Sequence, residues 1–462
     1  MQEPSPIDVT SQSVSEKTAH HEVSSTGDST PPHEDNDSFA QGHQNTTPLQ
    51  LPPDTQVVAT PVPPNGGTLA WLQVAASFCI FLNTWGIVNM YGVFQTYYTY
   101  DIAETSTDSA ISWIGSMQMF LLCFLSTIVG PIYDAGHLHL LLYLGTFLSL
   151  LGVFMTSLCK NYWQLFLAQG VVTGSGFGCL FLPAVAVVSQ YFSTKKAFAT
   201  GIASLGSSIG GVVYPIVWTQ VQYKVGFAWA TRVIGFIMLA TLILPLVVMR
   251  PLQYPKSRRS LLDLESLKDV PYTFFGLGIF FGYMGIYVVF FYVQLYAMDR
   301  AGMSPYLAFY LPALINAGSS LGRILPNFAA DYVGTLNMQM VMAFASAVLS
   351  LALIAIRNVP GILGFCVLYG FFTGTFVSLP SPTVASLSPN LAALGSRLSM
   401  AFITAALGSL VGSPIAGAIL ATDGGNNWNM LQVWSGILLV LSGSSMLVAR
   451  TAKVGLKINA KA

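Results

Sequence analysis

Three arginines lie inside long apolar stretches of the chain, where a permanent charge needs a specific reason to be present. They are Arg232, Arg323 and Arg397. A guanidinium group stays charged at every working pH and binds carboxylates or planar oxygen groups through two parallel hydrogen bonds. Because an isolated charge deep in a bilayer costs at least about 2.5 kcal/mol, each arginine needs a partner or a water-filled cavity. These residues suit recognition of an anionic or oxygen-rich solute, or an internal ion pair.

Arg323 is the strongest candidate for contact with a solute. It lies in the stretch GSSLGRILPNFAADYVG, eight residues before Asp331, which marks the end of the apolar segment. At 1.5 Å per helical residue, this spacing places it about 12 Å inside the segment. We predict that Arg323 anchors the substrate; the alternative is that it pairs with Asp331 or loop carbonyls and braces a gate. Arg397 lies about 9 Å inside its own segment, and a structural, gating role is favoured for it.

Aromatic and amide side chains provide further candidates for a substrate cavity. Trp85 and Asn89 are four residues apart and therefore share a helical face. Tyr287 follows Tyr283 at the same spacing, and Asn316 lies in the next apolar segment. Such a lining suits a large, conjugated, moderately polar solute. We predict that Trp85, Asn89, Tyr287 and Asn316 bind substrate; the alternative is hydrogen bonding between helices and anchoring at the membrane interface.

Two similar turns carry aspartates at corresponding places in the chain. Asp134 lies in GPIYDAG, and Asp331 lies in NFAADYVG. Each carboxylate can accept hydrogen bonds from a helix N-terminus or from basic loop residues in one of two access states. We predict that Asp134, Asp331 and Arg397 act in gating.

The composition defines the elements that must position these residues. Of 462 residues, 53% are hydrophobic and only 8% are charged, with a mean hydropathy of +0.61. Soluble globular proteins have about 25% charged residues, so the chain is predicted to be an all-α integral membrane protein. Twelve segments are long enough to cross a bilayer. Their approximate spans are 69–97, 110–132, 138–158, 163–191, 196–222, 229–249, 272–298, 305–330, 336–356, 361–386, 392–420 and 429–449.

The segments divide into two sets of six around the longest polar interruption. Repetition of the aspartate turn, and of stretches rich in Gly and Ser in segments five and eleven, predicts two six-helix bundles related by a pseudo-two-fold axis, the major facilitator plan. Nine of the 19 acidic residues lie before residue 66, in a polar stretch that cannot bury a core. The predicted divisions are a disordered cytosolic tail (1–65), the first bundle (66–249), a cytosolic central loop (250–271), the second bundle (272–450) and a cytosolic C-terminal tail (451–462).

Basic residues predict the orientation in the membrane, because cytosolic loops carry an excess of Lys and Arg. With the N-terminus in the cytosol, eleven Lys and Arg residues fall on the inside and four on the outside. The inside set is Lys195, Lys196, Arg250, Lys256, Arg258, Arg259, Lys268, Arg450, Lys453, Lys457 and Lys461; the outside set is Lys160, Lys224, Arg300 and Arg357. We therefore predict a multi-pass protein of the cell membrane with both termini in the cytosol.

Several stretches in the same order resemble fungal members of the monocarboxylate porter family of the major facilitator superfamily. They are NGGTLAWLQVAASFCIFLNTWGIVNMYGVFQTYY, GPIYDAG, GRILPNFAADYVG and YGFFTGTFVSLPSPTVASLSP followed by LGSRLSMAFITAALGSLVGSPIAGAIL. The resemblance covers about residues 65 to 450 and implies the major facilitator fold and transport of a small solute. In animal carriers of the family, helix one bears a lysine and helix eight an aspartate one turn before its arginine. The matching positions here are Asn89 and Ser319, so Arg323 is retained without these charged companions.

The sequence predicts no enzyme, cofactor or metal site. It lacks the G-x-x-x-x-G-K-[ST] motif of nucleotide hydrolysis, and the five cysteines lie in apolar segments without a metal-binding spacing. The expected partners are a small-molecule substrate, the lipid bilayer and, from the family resemblance, protons. No nucleic acid and no obligate protein partner are predicted.

The predicted function is secondary, alternating-access transport of a small organic solute. An organic anion or secondary metabolite is favoured, with export as the direction. The alternative within the same class is proton-coupled uptake of a monocarboxylate or a riboflavin-like solute. A transporter-like nutrient receptor is the alternative of another class, although such receptors carry a longer, patterned cytosolic extension.

Overall fold

A computed structural model describes residues 64–102, 106–192, 196–252, 264–388, 391–424, 426–455 and 460–461. Most of the predicted N-terminal tail and residues 253–263 of the predicted central loop lie outside the described residues. All regular structure in the described ranges is helical, which confirms the predicted all-α class.

Eleven described helices are long and apolar enough to cross a membrane. They are α1 (Thr68–Ile102), α2 (Asp108–Ile128), α3 (Leu138–Thr156), α4 (Tyr162–Tyr191), α5 (Phe198–Val225), α6 (Phe227–Val248), α7 (Val270–Ala301), α9 (Thr335–Ala355), α10 (Val359–Leu387), α11 (Gly395–Gly424) and α12 (Trp428–Val454). The remaining predicted segment is α8 (Leu311–Val333). Asn316, Arg323 and Asn327 interrupt its apolar character, which is why it is not among the eleven.

The two sets of six helices repeat the same packing. Helix pairs α1–α5, α2–α4, α3–α6 and α1–α6 are in contact, and so are their equivalents α7–α11, α8–α10, α9–α12 and α7–α12. The halves meet through α2 with α11 and through α5 with α8, which are again equivalent pairs. The six-plus-six architecture predicted from the sequence is therefore confirmed, whereas the predicted limits of each bundle stay predictions.

Small residues allow the closest helix contacts in both halves. A Cβ at Gly210 of α5 would lie 2.4 Å from the carbonyl oxygen of Leu82 in α1. A Cβ at Gly412 of α11 would lie 2.1 Å from the carbonyl oxygen of Met284 in α7. Because only glycine permits such approach, the Gly- and Ser-rich stretches of segments five and eleven dock the equivalent helices α1 and α7.

The repeated aspartate turns also end alike. Gly136 follows the short helix Gly130–Asp134 with φ of 96°, and Gly334 ends α8 with φ of 104°. Glycine adopts this left-handed conformation without the strain of a side chain. The two turns therefore share a glycine with positive φ at most two residues after the helix end.

The two ends of the helix bundle can be told apart by the helices that begin and finish there. We call the end at which α1 begins and α12 finishes the terminus face, and the other end the opposite face. Large apolar side chains cover much of the surface between them, as expected for contact with lipid tails. Among the most exposed are Phe147, Phe236, Val247, Phe328 and Val348.

Candidate functional site

Arg323 lies near the middle of α8, in the interior between the two halves. It is the thirteenth of the 23 residues of Leu311–Val333, and only 8% of it is exposed. Because α8 continues to Val333, the arginine lies about 15 Å from the terminus-face end, slightly deeper than the sequence predicts. A Cβ at the preceding Gly322 would lie 2.0 Å from the carbonyl oxygen of Phe371 in α10, so this turn of α8 packs closely on its neighbour.

Most N–H donors of the Arg323 side chain have no acceptor among the described residues. Its Nε donates to Oγ of Ser319 at 3.2 Å, and Ser208 of α5 donates to the same oxygen at 3.4 Å. Among the described residues, no acidic side chain forms an ion pair with it. A guanidinium has five N–H donors, so this one remains able to bind an anion. Ser319 lies one helical turn before Arg323 in α8.

Two tyrosines of α7 lie within electrostatic reach of the guanidinium. Arg323 interacts electrostatically with Tyr287 and Tyr283, whose ring centroids are 6.1 Å apart. Tyr287 also packs on Phe290 and Phe291, at 5.5 and 6.5 Å between centroids. The structure thus brings together two of the predicted substrate-binding residues, Arg323 and Tyr287, in a largely aromatic setting.

Trp85 belongs to a second aromatic group that crosses between the halves. Its ring meets Phe181 of α4 edge to face at 5.7 Å, and Phe181 meets Phe402 of α11 in the same way at 5.5 Å. Asn89 is buried one turn further along α1, in the short unit Trp85–Asn89 between breaks at Thr84 and Met90. Irregular backbone inside a membrane protein is tolerated where protein buries it.

Asn316 lies at the contact between α5 and α8. A Cβ at Gly211 would come within 2.3 Å of the Asn316 side chain, so the amide fills the space that this glycine leaves. Its Nδ2 donates to the carbonyl of Pro312 at 2.8 Å, whereas its buried Oδ1 has no partner among the described residues. The buried amide therefore has a structural position with one acceptor still open.

Several hydrogen bonds between the two halves, among the described residues, lie towards the opposite face. Thr96 of α1 donates to Oε1 of Gln294 in α7 at 2.7 Å. The hydroxyl of Tyr292 in α7 bonds to Ser112 of α2 and lies 3.2 Å from the carbonyl of Asp108. Towards the terminus face, a described direct bond is the one from Thr127 to the carbonyl of Ser399, at 3.3 Å. These hydrogen bonds hold the two halves together at the opposite face. We call the group Thr96, Gln294 and Tyr292 the opposite-face latch.

Arg397 joins three segments of the second half. Its Nη1 donates at 2.8 Å both to Oδ2 of Asp269 and to the carbonyl of Leu387, and the guanidinium lies 4.9 Å from the ring centre of Tyr272. These contacts tie the start of α7 and the end of α10 to α11. The other predicted gating residues are placed differently: Asp134 is buried at the end of its short helix, and the side chain of Asp331 lies outside the described residues.

We expect the Asp269→Asn variant to be less stable. The Arg397 side chain is 7% exposed and Asp269 is 31% exposed, so losing the pair should cost about 1 to 2 kcal/mol, less than for a fully buried pair. The measurement is the thermal midpoint of the purified protein, which should fall in this variant. The control is Glu265→Gln, which likewise replaces a carboxylate by an amide, at an exposed position nearby. Equal midpoints for both variants would show that the Arg397–Asp269 pair does not stabilise the protein.

Some residues at the site could be predicted from the sequence and others could not. Tyr283 could be predicted, because it lies one helical turn before Tyr287 and so shares its face. Ser208, Phe181 and Phe402 could not, because only the packing of α4, α5 and α11 brings them inward. Within the described residues, no cluster of His, Cys, Asp or Glu could hold a metal ion.

Two equivalent sets of six helices around a buried arginine, coated with apolar side chains, define a multi-pass membrane transporter. A sequence model of the Major Facilitator Superfamily matches residues 74–392. The chain belongs to the major facilitator superfamily.

Similar fungal proteins cover most of the chain. The MFS-type transporter dbaD of Emericella nidulans is 41% identical over 385 residues, covering 83% of this chain and 87% of that protein. The aspyridones efflux protein apdF of the same organism is 35% identical, covering 82% and 77%. The MFS transporter asaE of Aspergillus flavus is 36% identical, covering 86% and 90%. A crystal structure of the nucleoside transporter NupG has a TM-score of 0.63 at 13% identity, covering 84% of this chain and all of that one, a likeness of fold alone.

Proposed function

We propose that this protein exports an organic anion, most simply an anionic secondary metabolite, and that Arg323 binds the anionic group. The observation that carries the proposal is a buried guanidinium that has a single described hydrogen bond, to Ser319, and no described acidic partner. A charge at this depth is costly without a counter-ion. A substrate carboxylate or enolate would supply that counter-ion through two parallel hydrogen bonds.

The aromatic neighbours support a conjugated substrate. Tyr283 and Tyr287 lie within electrostatic reach of the guanidinium and 6.1 Å apart between ring centroids, and Trp85 with Phe181 adds aromatic surface from the first half. Apolar walls with a few polar groups are typical of sites for medium-sized organic ligands. A substrate with an acidic group on a flat, unsaturated skeleton fits this arrangement better than a small monocarboxylate does.

Export is favoured by the relatives and by the closed face. One similar protein is named for efflux of aspyridones. We propose that the transporter lies in the plasma membrane with its terminus face towards the cytosol. Both termini are then cytosolic. The opposite-face latch formed by Thr96, Gln294 and Tyr292 would then keep the site closed to the outside while substrate loads from the cytosol.

Uptake of a monocarboxylate or a riboflavin-like solute is the second candidate. It rests on the resemblance of several motifs to the monocarboxylate porter family. We propose this family as the chain's place within the superfamily. Simple lactate-type symport is disfavoured because Asn89 and Ser319 occupy the positions where animal carriers of that family have charged residues.

The two directions are separated by transport in sealed vesicles. We would reconstitute the full chain into proteoliposomes and sort them by the accessible side of a C-terminal epitope tag. The probes are a labelled aromatic carboxylate, an aromatic polyketide, riboflavin and lactate. Export predicts saturable uptake of the anionic aromatic probes into vesicles whose cytosolic side faces outward. Saturable transport of riboflavin or lactate alone would favour the second candidate, and no saturable flux of any probe would reject both.

If transport is coupled to protons, we propose Asp108 as the group that carries them. It is half-buried at the start of α2, where its Oδ1 accepts a hydrogen bond from Thr99 at 3.3 Å and its carbonyl is contacted by Tyr292 of the other half. Tyr100 lies within electrostatic reach. Closing the latch buries this carboxyl group, and burial favours its neutral form. External acid should therefore promote closure and speed the return of the empty carrier.

The Asp108→Asn variant is expected to transport at a rate that no longer depends on external pH. Wild-type flux should rise as the outside is acidified, because the protonated acid favours the closed latch. The measurement is initial export rate against external pH, with Asp101→Asn, an exposed neighbour in the chain, as the matched control. A pH profile unchanged in the Asp108 variant would remove this residue from coupling.

A further inference from the structure

An apolar groove lies where the two halves meet, between α5 of the first half and α8 and α10 of the second. It has a volume of about 330 Å³, at the lower end of the range of about 300 to 1,000 Å³ found for sites that hold organic ligands. Its walls include Val212 and Ile216 of α5, Leu311, Leu314 and Ala317 of α8, and Leu363 of α10. Apart from the hydroxyl of Tyr310 at one end, the lining side chains carry no polar atom.

The groove is open to the membrane-facing surface. Ile216 on its wall is 37% exposed, and its neighbours on α5, Ile209 and Val213, are 40% and 39% exposed. Ile216 lies nine residues before the end of α5 at Val225, so the groove reaches about 14 Å in from the opposite face. Because an apolar wall offers nothing to an ion or to water, the groove fits an apolar chain.

A polar cluster continues the groove towards the opposite face. Gln220 follows Ile216 by one helical turn, and its Nε2 donates to the hydroxyl of Tyr306 at 2.8 Å and to that of Tyr310. The Tyr310 hydroxyl in turn donates to Tyr306 at 3.2 Å. Since the Tyr306 oxygen accepts both bonds, its own O–H has no acceptor among the described residues. Tyr306 is 51% exposed, so this O–H can donate to a ligand.

Lys224 completes the series one helical turn after Gln220. It is exposed in the last turn of α5 and lies within electrostatic reach of Tyr306. Among the described residues, no acidic side chain forms an ion pair with it. From Val212 to Lys224 the same helix therefore passes from apolar to hydrogen-bonding to cationic groups. A phospholipid has the matching order in its leaflet: acyl chain, ester carbonyls and phosphate.

We propose that the groove binds one acyl chain of a phospholipid from the leaflet at the opposite face, with its phosphate on Lys224. The O–H of Tyr306 donates to an ester carbonyl, and the ammonium group of Lys224 forms a charge-assisted bond with the phosphate. A sterol would fill the groove but would leave Lys224 without a counter-ion. Because α5 belongs to one half and α8 and α10 to the other, the bound chain packs against both halves.

The test is photolabelling of the full chain in phosphatidylcholine vesicles that contain a trace of phosphatidylcholine with a diazirine in its acyl chain. Labelled peptides are identified by mass spectrometry. Phe147 and Val348, which are 62% and 66% exposed to lipid outside the groove, provide the reference. We expect the groove residues of α8 to be labelled clearly more than this reference. Diacylglycerol with the same chain lacks the phosphate, and its groove-to-reference ratio should be about fivefold lower, the effect of one basic residue near anionic lipid groups.

Two variants separate the contributions of charge and groove. Lys224→Gln should lower the ratio for phosphatidylcholine about fivefold, to that of diacylglycerol. The matched control is Lys160→Gln, at an exposed lysine between α3 and α4, which should leave the ratio unchanged. Ala317→Phe places a ring in the groove at an exposed position and should reduce labelling by both lipids to the reference.

Three results would overturn the proposal. The first is labelling of the groove at the level of Phe147 and Val348 in the wild type. The second is an unaltered ratio for phosphatidylcholine in Lys224→Gln, since the phosphate would then not be recognised. The third is loss of the groove label when cholesterol is added to the vesicles, which would assign the groove to a sterol. Should Ala317→Phe fail to fold, the change at the exposed Lys224 still decides.

Discussion

The Arg323→Gln variant is expected to lose high-affinity transport of an anionic substrate, whereas Arg323→Lys should keep a weakened site. Glutamine removes the charge, and charge-assisted hydrogen bonds of about 2 to 3 kcal/mol correspond to about a 30- to 150-fold loss of affinity. Lysine retains the charge but cannot form two parallel bonds to a carboxylate. We therefore expect about a tenfold loss for lysine. The measurement is concentration-dependent flux at equal surface expression.

The control for this prediction is Arg232→Gln. Arg232 is also an arginine in a membrane helix, but it lies near the start of α6, where its Nε donates to Ser157 at 3.2 Å and the guanidinium rests over Trp229. Its replacement should leave apparent affinity unaltered. Unchanged affinity for the anionic substrate in both Arg323 variants would mean that this arginine does not contact substrate. A neutral analogue of the same skeleton should respond weakly to either change.

The Gly92→Val variant is expected to prevent closure at the opposite face and to abolish transport. A Cβ at Gly92 of α1 would lie 2.3 Å from the carbonyl oxygen of Phe290 in α7, so any side chain there forces the two halves apart. The obstruction is backbone against backbone and cannot be relieved by a rotamer change. Because the chain is a transporter that must close on one side before it opens on the other, a wedge at this contact should stop turnover while leaving each half folded.

Separation of the halves can be measured directly in the Gly92 variant. Spin labels at positions 160 and 426, exposed at the opposite face of the first and second half, should show a longer distance than in the otherwise unmodified protein. Gly364→Val serves as the control, since no atom lies within 4 Å of a Cβ at that position of α10. An unchanged label distance together with normal flux in Gly92→Val would disprove the latch.

Sequence reasoning succeeded where local pattern carries the information. Long apolar runs defined the membrane helices, and the aspartate turns and small-residue stretches revealed the two-fold repeat. Helical spacing alone suggested that Tyr283 and Tyr287 share a face, and in the structure both lie within electrostatic reach of Arg323. The sequence also indicated Arg323 as a charge that needs a counter-ion.

The remaining features depend on contacts between residues far apart in the chain. The partner of Arg397 is Asp269, more than a hundred residues away, and no local rule selects it over another acid. The sequence suggests that Asn316 lines a substrate cavity, whereas in the structure its side chain packs against Gly211 of α5. This contact joins residues that are far apart in the chain, so no local pattern predicts it. The π-helical segment Phe166–Thr173 of α4 has no local signature in the sequence.

The lack of a described acidic partner for Arg323 has an electrical consequence. In the substrate-free molecule this site carries one positive charge, and a bound monoanion would cancel it. A membrane voltage then acts on the empty carrier and hardly on the loaded one, with up to about 2.3 kcal/mol per 100 mV for a charge that crosses the whole field. In the proposed orientation, an inside-negative voltage favours return of the empty carrier to the cytosol-facing state. Each export cycle would therefore carry current, and the resting potential of the cell could drive it.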